Sequence, residues 1–191
     1  MKNFLKGGAL SGARARRIKI VGAVLILAAV LYFEAKDPEL EGKLVTPRND
    51  TIIHVGRADV RDGDSINFND YRMRLHGIDA LELAQTCQSK NGANQVPCGR
   101  MAKKALEDII GGKALECHVR DIDRYDRHVV QCYQGRMDIG REMVARGWAE
   151  PYYKHGGSIY DMDYKDAKRD GRGAFQYEYQ RASDYRQDNR R

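Results

Sequence analysis

Hydrophobic and polar positions change rhythm along the chain, and each change marks a segment. Residues 20–33 are apolar without interruption, and Lys2, Lys6, Arg14, Arg16, Arg17 and Lys19 precede them with no acidic residue between. The run is short for a membrane-spanning helix and matches the core of a secretory signal. No small-x-small cleavage site follows it, and Lys19 can snorkel, which extends the span by Ile18. Three readings stay open: an uncleaved N-terminal anchor, a cleaved signal, or a buried helix of a soluble domain. The first two share a consequence, because the basic flank holds the N-terminus inside and everything after the apolar run is exported. Residues 34–50 lose any apolar period, contain Pro38 and Pro47, and read as an extended linker.

From residue 51 two periods alternate. Residues 52–60 read as a strand with Gly56 at a bend or bulge, and 65–68 as a second. Asn69-Asp70 supplies turn chemistry before 71–78, where Tyr71, Met73 and Leu75 take one face and Arg72, Arg74 and His76 the other. A polar loop lies between Cys87 and Cys98. Residues 99–110 carry Met101, Ala105, Leu106, Ile109 and Ile110 on one helical face and stop at Gly111-Gly112. Strands follow at 114–119 and 128–134. Further helices are expected at 139–146, ended by Gly147, and at 161–169. Residues 181–191 read as a polar tail that frays. The pattern divides the chain into a signal or anchor segment (1–33), a linker (34–50), a folded domain (51–180) and the tail. By itself it stops at an α+β domain. Its five short strands suit a small closed barrel, of which the OB-fold is one solution, with about three α-helices and the hydrophobic N-terminal helix ahead of it.

Composition adds a partner class. Lys and Arg number 33 against 27 Asp and Glu, a net charge of +6, which favours nucleic acid or an anionic membrane surface. Four cysteines in an exported domain are expected to pair. If Val119 opposes Val130 across the hairpin of 114–134, Cys117 meets Cys132, which leaves Cys87–Cys98 to close the polar loop. No Cys-x-x-Cys is present, which speaks against zinc.

The chemistry concentrates around one hairpin. Asp64 lies at its start, Asp79 and Glu82 just past its end, and Arg74 on its polar face. A hairpin joins its two ends, so three carboxylates and an arginine share one patch. Clustered acids call for a hard cation, and an arginine grips phosphate with paired hydrogen bonds. Together they outline a phosphodiester-cleaving site. Without more, these aspartates would equally be turn caps and these arginines surface ion pairs.

Three blocks go further. Asp62-Gly63-Asp64-Ser65, then Arg74-Leu75-His76-Gly77-Ile78-Asp79-Ala80-Leu81-Glu82, then Asp123-Arg124-Tyr125-Asp126-Arg127 resemble, in order, the signature segments of the staphylococcal nuclease family. The resemblance covers roughly residues 50–180. It implies an OB-fold barrel and a monomeric, Ca²⁺-dependent, sugar-nonspecific nuclease. Such an enzyme cuts DNA and RNA, single strands preferred, at the 5′ P–O bond and leaves 3′-phosphates. By the same resemblance Asp64, Asp79 and the Ala80 carbonyl hold Ca²⁺, and Glu82 activates water. Arg74 and Arg127 hold the phosphate, Arg124 and Tyr125 contact a terminal phosphate, and Tyr153 (or Tyr152) stacks on a base. Two positions depart from the family pattern. Leu81 stands where proline is usual, which would loosen the loop of Glu82. Asp126 stands where glycine is usual; if that glycine has φ > 0, aspartate can still adopt the conformation at a cost. The rival functions are a catalytically weak nucleic-acid-binding barrel tethered at a membrane, and a membrane-proximal module binding anionic lipid.

Overall fold

The computed structural model describes residues 52–189. The signal or anchor expected at 1–33 and the linker at 34–50 lie outside the described residues. Within them, the strand expected at 52–60 is present in two pieces, β1 (Ile53–Gly56) and β2 (Asp59–Val60). Gly56 stands at the break, where a Cβ would press on the Phe68 ring at 3.2 Å. β3 (Ser65–Phe68) and β4 (Tyr71–Leu75) form the expected hairpin, with Phe68 opposite Tyr71 and Asn69 at φ 53° in the turn. Ile66, Phe68, Met73 and Leu75 enter the core. Tyr71, expected on that apolar face, instead lies half exposed at the strand end and stacks on His128 with ring centres 5.2 Å apart.

β5 (Ile78–Ala80) follows, then a small side sheet of β6 (Cys87–Ser89) and β7 (Gln95–Val96). α1 (Cys98–Ile110) buries Ala102, Leu106, Ile109 and Ile110 and ends on Gly111 in the left-handed conformation. After it come β8 (Leu115–Ile122), β9 (His128–Gln134), β10 (Met137–Asp138) and α2 (Ile139–Ala145), capped by the Asp138 side chain. β11 (Ala149–Pro151), α3 (Asp161–Arg169), β12 (Tyr177–Glu178) and α4 (Ala182–Asp188) complete the order. The tail expected to fray is therefore helical over Ala182–Asp188. Its anchors are one buried alanine, Ala182, and ion pairs made by Arg186, which no apolar period announces.

The main sheet has seven strands in the order β1-β8-β9-β4-β3-β2, with β10 added to β9. β4 and β9 run parallel; the other pairs are antiparallel. β1 and β2 end this path at opposite sides, yet only Arg57 and Ala58 separate them in the chain. The sheet therefore curls until its two ends meet. The α+β reading holds, and the element count differs: the described residues form twelve strands in three sheets and four α-helices instead of five strands and about three helices. The additional strands are mostly two- and three-residue ladders such as β5–β11 and β6–β7, too short to show an alternation.

Both disulfides form as expected. Cys117 lies opposite Cys132 and Val119 opposite Val130 on β8 and β9. Cys87–Cys98 ties the side sheet to the first residue of α1. The core falls into two clusters. The larger packs Ile66, Met73, Leu75, Leu106, Val130 and Met143 inside the curl. The smaller gathers Leu81, Cys87, Cys98 and Ala174 beside it, and Trp148 touches both.

Candidate active site

Pairing of β3 with β4 sets Ser65 opposite Arg74, and the N–H of Leu75 donates to the Asp64 carbonyl at 2.8 Å. The hairpin thus closes Asp64 onto Arg74. Beyond the next turn, β5 presents Asp79 beside them, pinned by its pairing with Glu150 on β11. Nη2 of Arg74 donates to Asp64 Oδ2 and to Asp79 Oδ1, each at 2.7 Å. Two carboxylate oxygens from different elements therefore converge on one point.

Asp64 is buried, with its Oδ1 accepting from the Ser65 hydroxyl at 3.0 Å. Burial pushes its carboxyl up to about 7 against the pull of Arg74, and the neighbouring Asp62 and Asp79 add to the rise. Burial would lower Arg74, but Asp64 and Asp79 outweigh it and hold the guanidinium charged. Ala80 turns its N–H toward Asp64 Oδ2 at 3.3 Å. Gly63 lies where a Cβ would overlap that of Ala80, so only glycine lets this turn pack against β5.

Glu82 sits on a loop that is bound on all sides. Its N–H donates to the side-chain oxygen of Gln85 at 3.1 Å, and its carbonyl accepts from the Gln85 N–H at 2.8 Å. Gln85 is buried, accepts from the Gly99 N–H, and donates its side-chain amide to the Gln180 carbonyl. A Cβ at Gly99 would overlap the Glu82 carbonyl oxygen, so a bare backbone there admits the loop against α1. Leu81 buries its side chain beside the Cys87–Cys98 pair. The loosening expected from the missing proline is thus opposed by apolar burial and a covalent tie.

Arg127 arrives from another part of the chain. Parallel pairing of β4 and β9 places Arg74 opposite Val129, two residues past Arg127. Asp123 then fixes it: Oδ2 accepts from Nε at 2.8 Å and lies 2.7 Å from Nη2, while Oδ1 accepts from the N–H groups of Tyr125 and Arg127. Burial would raise Asp123, and these hydrogen bonds outweigh it and hold the carboxyl below its usual range. Asp126 takes φ 60° in this turn, the left-handed geometry foreseen for a glycine-like position. The guanidinium groups of Arg124 and Arg127 lie over the Tyr125 ring at 4.8 and 5.6 Å.

These groups share a cleft of about 850 Å³ lined by Asp64, Arg74, Glu82, Arg124, Tyr125 and Arg127. Tyr152 also lines it, its ring 5.7 Å from the Arg74 guanidinium carbon. Tyr153, expected to stack on a base, lines a separate pocket of about 590 Å³ with Tyr164 and Phe175, because the short 3-10 turn at Tyr153–His155 sends the two neighbouring rings apart. Two further residues belong to the site: Asp123, a motif residue to which the sequence assigns no role, and Arg186, within the segment expected as a tail.

The donor set suits a hard divalent cation. Oxygens of Asp64 and Asp79 already meet at a cationic atom, and Asp64 is an acid whose burial calls for a counter-charge. Among the described residues no group of three or more His, Cys, Asp or Glu side chains gathers as a metal cage, so two carboxylates would share the ion with backbone, water or phosphate oxygens.

A curled sheet flanked by helices, carrying paired carboxylates and two arginines in one cleft, defines a class. The chain matches the family model described as "Staphylococcal nuclease homologue" over residues 72–174, more than half its length, and it belongs to that family. It is 30% identical over 121 residues to "Succinoglycan biosynthesis protein ExoI" of Rhizobium meliloti, covering 62% of this chain and 63% of that one. It is 36% identical over 90 residues to a "Probable staphylococcal-like nuclease" of Oryza sativa, covering 47% of this chain and 24% of that one. An "Uncharacterized endonuclease" of Haemophilus influenzae is 29% identical over 121 residues, covering 60% and 61%. The chain thus spans less than two thirds of the length of each.

Proposed function

We propose that this protein is a Ca²⁺-dependent phosphodiesterase that cleaves DNA and RNA, single strands preferentially, on a barrel of the OB type. The observation that carries this is the convergence of Asp64 Oδ2 and Asp79 Oδ1 on one Arg74 nitrogen, in the cleft that also holds Glu82 and Arg127. Asp64 and Asp79, with the Ala80 backbone, would hold the ion. When bound, it supplies positive charge at the scissile phosphate.

The protein's own side chains do the rest. Glu82, braced by Gln85, takes the proton of the water that attacks phosphorus. Arg127, fixed by Asp123, and Arg74 donate to the non-bridging oxygens, where negative charge grows in the transition state. The bond from phosphorus to the 5′ oxygen breaks, leaving a 3′-phosphate. Tyr125 and Arg124 flank the cleft and receive the terminal phosphate. Tyr152 is the aromatic face nearest Arg74, and base stacking without base-edge reading gives little sequence preference. The two disulfides support an exported domain, anchored or secreted according to the fate of residues 1–33, and acting as a monomer.

Cleavage of a single-stranded oligonucleotide by the purified protein tests this, with Ca²⁺ and with chelator, beside Glu82→Gln. Metal-dependent cleavage is expected, with kcat falling about 10²–10⁴-fold in the variant. Tight binding with no cleavage at any Ca²⁺ concentration would instead favour the nucleic-acid-binding barrel.

A further inference from the structure

Arg186 lies far from the signature motifs in sequence, yet it lines the same cleft. Its Nη1 donates to Glu82 Oε1 at 2.6 Å and its Nη2 to Asp79 Oδ2 at 2.9 Å. One planar guanidinium therefore links the carboxylate proposed as base to a carboxylate proposed as cation ligand. Rigid forked donors of this kind set distances that a flexible ammonium does not.

The oxygen that Arg186 takes is decisive. Asp79 Oδ1 accepts from Arg74, which also donates to Asp64, and Asp79 Oδ2 accepts from Arg186. The Asp79 oxygen bonded to Arg186 is thus not the one that converges with Asp64. Arg186 therefore does not compete with Arg74 for the two oxygens that converge.

The helix that carries Arg186 is itself tied to the loop that carries Glu82. Gln85 bonds the Glu82 backbone at one end and the Gln180 carbonyl at the other, and α4 begins two residues later with the buried Ala182. Arg181, between them, pairs with Glu150 at 3.0 Å, and Glu150 faces Asp79 across β5 and β11. Burial would lower Arg186, but Asp79 and Glu82 outweigh it, so its charge persists.

We propose that Arg186 is a positioning residue that clamps Glu82 to Asp79 and makes α4 part of the catalytic unit. The assignment rests on the nuclease reading above. Outer partners of metal-binding carboxylates are worth 10–100-fold in activity or metal affinity, and a clamp holding two such groups falls in that range.

The test compares wild type, Arg186→Met and Arg186→Lys as full chains. kcat and KM are measured on a single-stranded oligonucleotide, Ca²⁺ affinity by calorimetry without substrate, and melting temperature in chelator. Arg186→Met is expected to lose roughly tenfold or more in kcat or in Ca²⁺ affinity. KM should stay within about threefold, and Arg186→Lys should recover part of the loss, since it keeps charge but not the fork. Unchanged kcat and Ca²⁺ affinity would overturn the assignment and leave a surface ion pair. A faster Arg186→Met enzyme would also overturn it, in favour of a latch. A wild type that binds Ca²⁺ without cleaving, with affinity lost in Arg186→Met, would sink the nuclease reading and keep the clamp. A wild type that does neither overturns both.

Discussion

At the residue scale the site shows how a single backbone conformation can carry a charge cost. Asp126 occupies the left-handed region at φ 60°, where a Cβ is disfavoured and only short polar side chains are tolerated. It stands between Tyr125 and Arg127, which line the cleft proposed to receive nucleic acid. Asp126→Gly removes both the strain and the negative charge, and the freer unfolded chain offsets part of the gain. Thermal melts are expected to show stability unchanged or raised by about 0.5 kcal/mol. The KM for an oligonucleotide should fall several-fold at low salt and converge with wild type at high salt, because screening removes the difference. A KM that ignores salt would mean the Asp126 charge stays clear of the phosphate.

At the scale of elements, the first strand pairs with β8 and also meets the sheet through an aromatic cluster. His54 on β1 meets His128 on β9, Nε2 to Nδ1 at 3.1 Å, and both rings lie against Tyr71 of β4. Burial first, and then the nearby His128, hold His54 below its ordinary value of 6.5. The sign follows from linkage. Between the folded and unfolded pKa values the unfolded chain binds a proton that the folded one refuses, so stability falls as pH drops below about 6.5. Melting temperatures at pH 8 and pH 5 are expected to differ more for wild type than for His54→Phe, which keeps an aromatic ring and removes the titration. Equal slopes would show that this pair does not govern the acid limb. The same scale explains the loop of Glu82: Gln85, Gly99 and Leu81 bind it to α1 and the side sheet, so its order does not depend on the proline that is absent.

For the whole molecule, closure of the sheet decides which residues become neighbours. Arg74 and Arg127 come to line one cleft through a parallel β4–β9 pair, which no hairpin can make and which requires α1 and β8 to intervene. Cys117–Cys132 staples the partner strand β8 to β9 within that closure. The double variant Cys117→Ser with Cys132→Ser frees a loop of 15 residues in the unfolded state. A loss of about 3 kcal/mol is expected, near 10 °C in melting temperature. If Ca²⁺ affinity survives this loss at a temperature where the variant is folded, the disulfide stabilises the curled sheet without shaping the site.

What could be read from the sequence was local or periodic. The β3–β4 hairpin, α1 with its glycine stop, the α2 and α3 segments and the Cys117–Cys132 register follow from alternation, helical spacing and turn residues, because those patterns come from backbone geometry within a few residues. The carboxylates and arginines were legible as motifs, and the left-handed Asp126 as a departure from one. The tertiary structure alone decided the rest. Tyr152 faces the cleft and Tyr153 does not, because a short 3-10 turn separates adjacent rings. The supposed tail is α4, with Ala182 buried and Arg186 bonded to groups more than a hundred residues earlier in the chain. Such contacts leave no period behind, so only the folded chain reveals that residue 186 belongs beside residues 79 and 82.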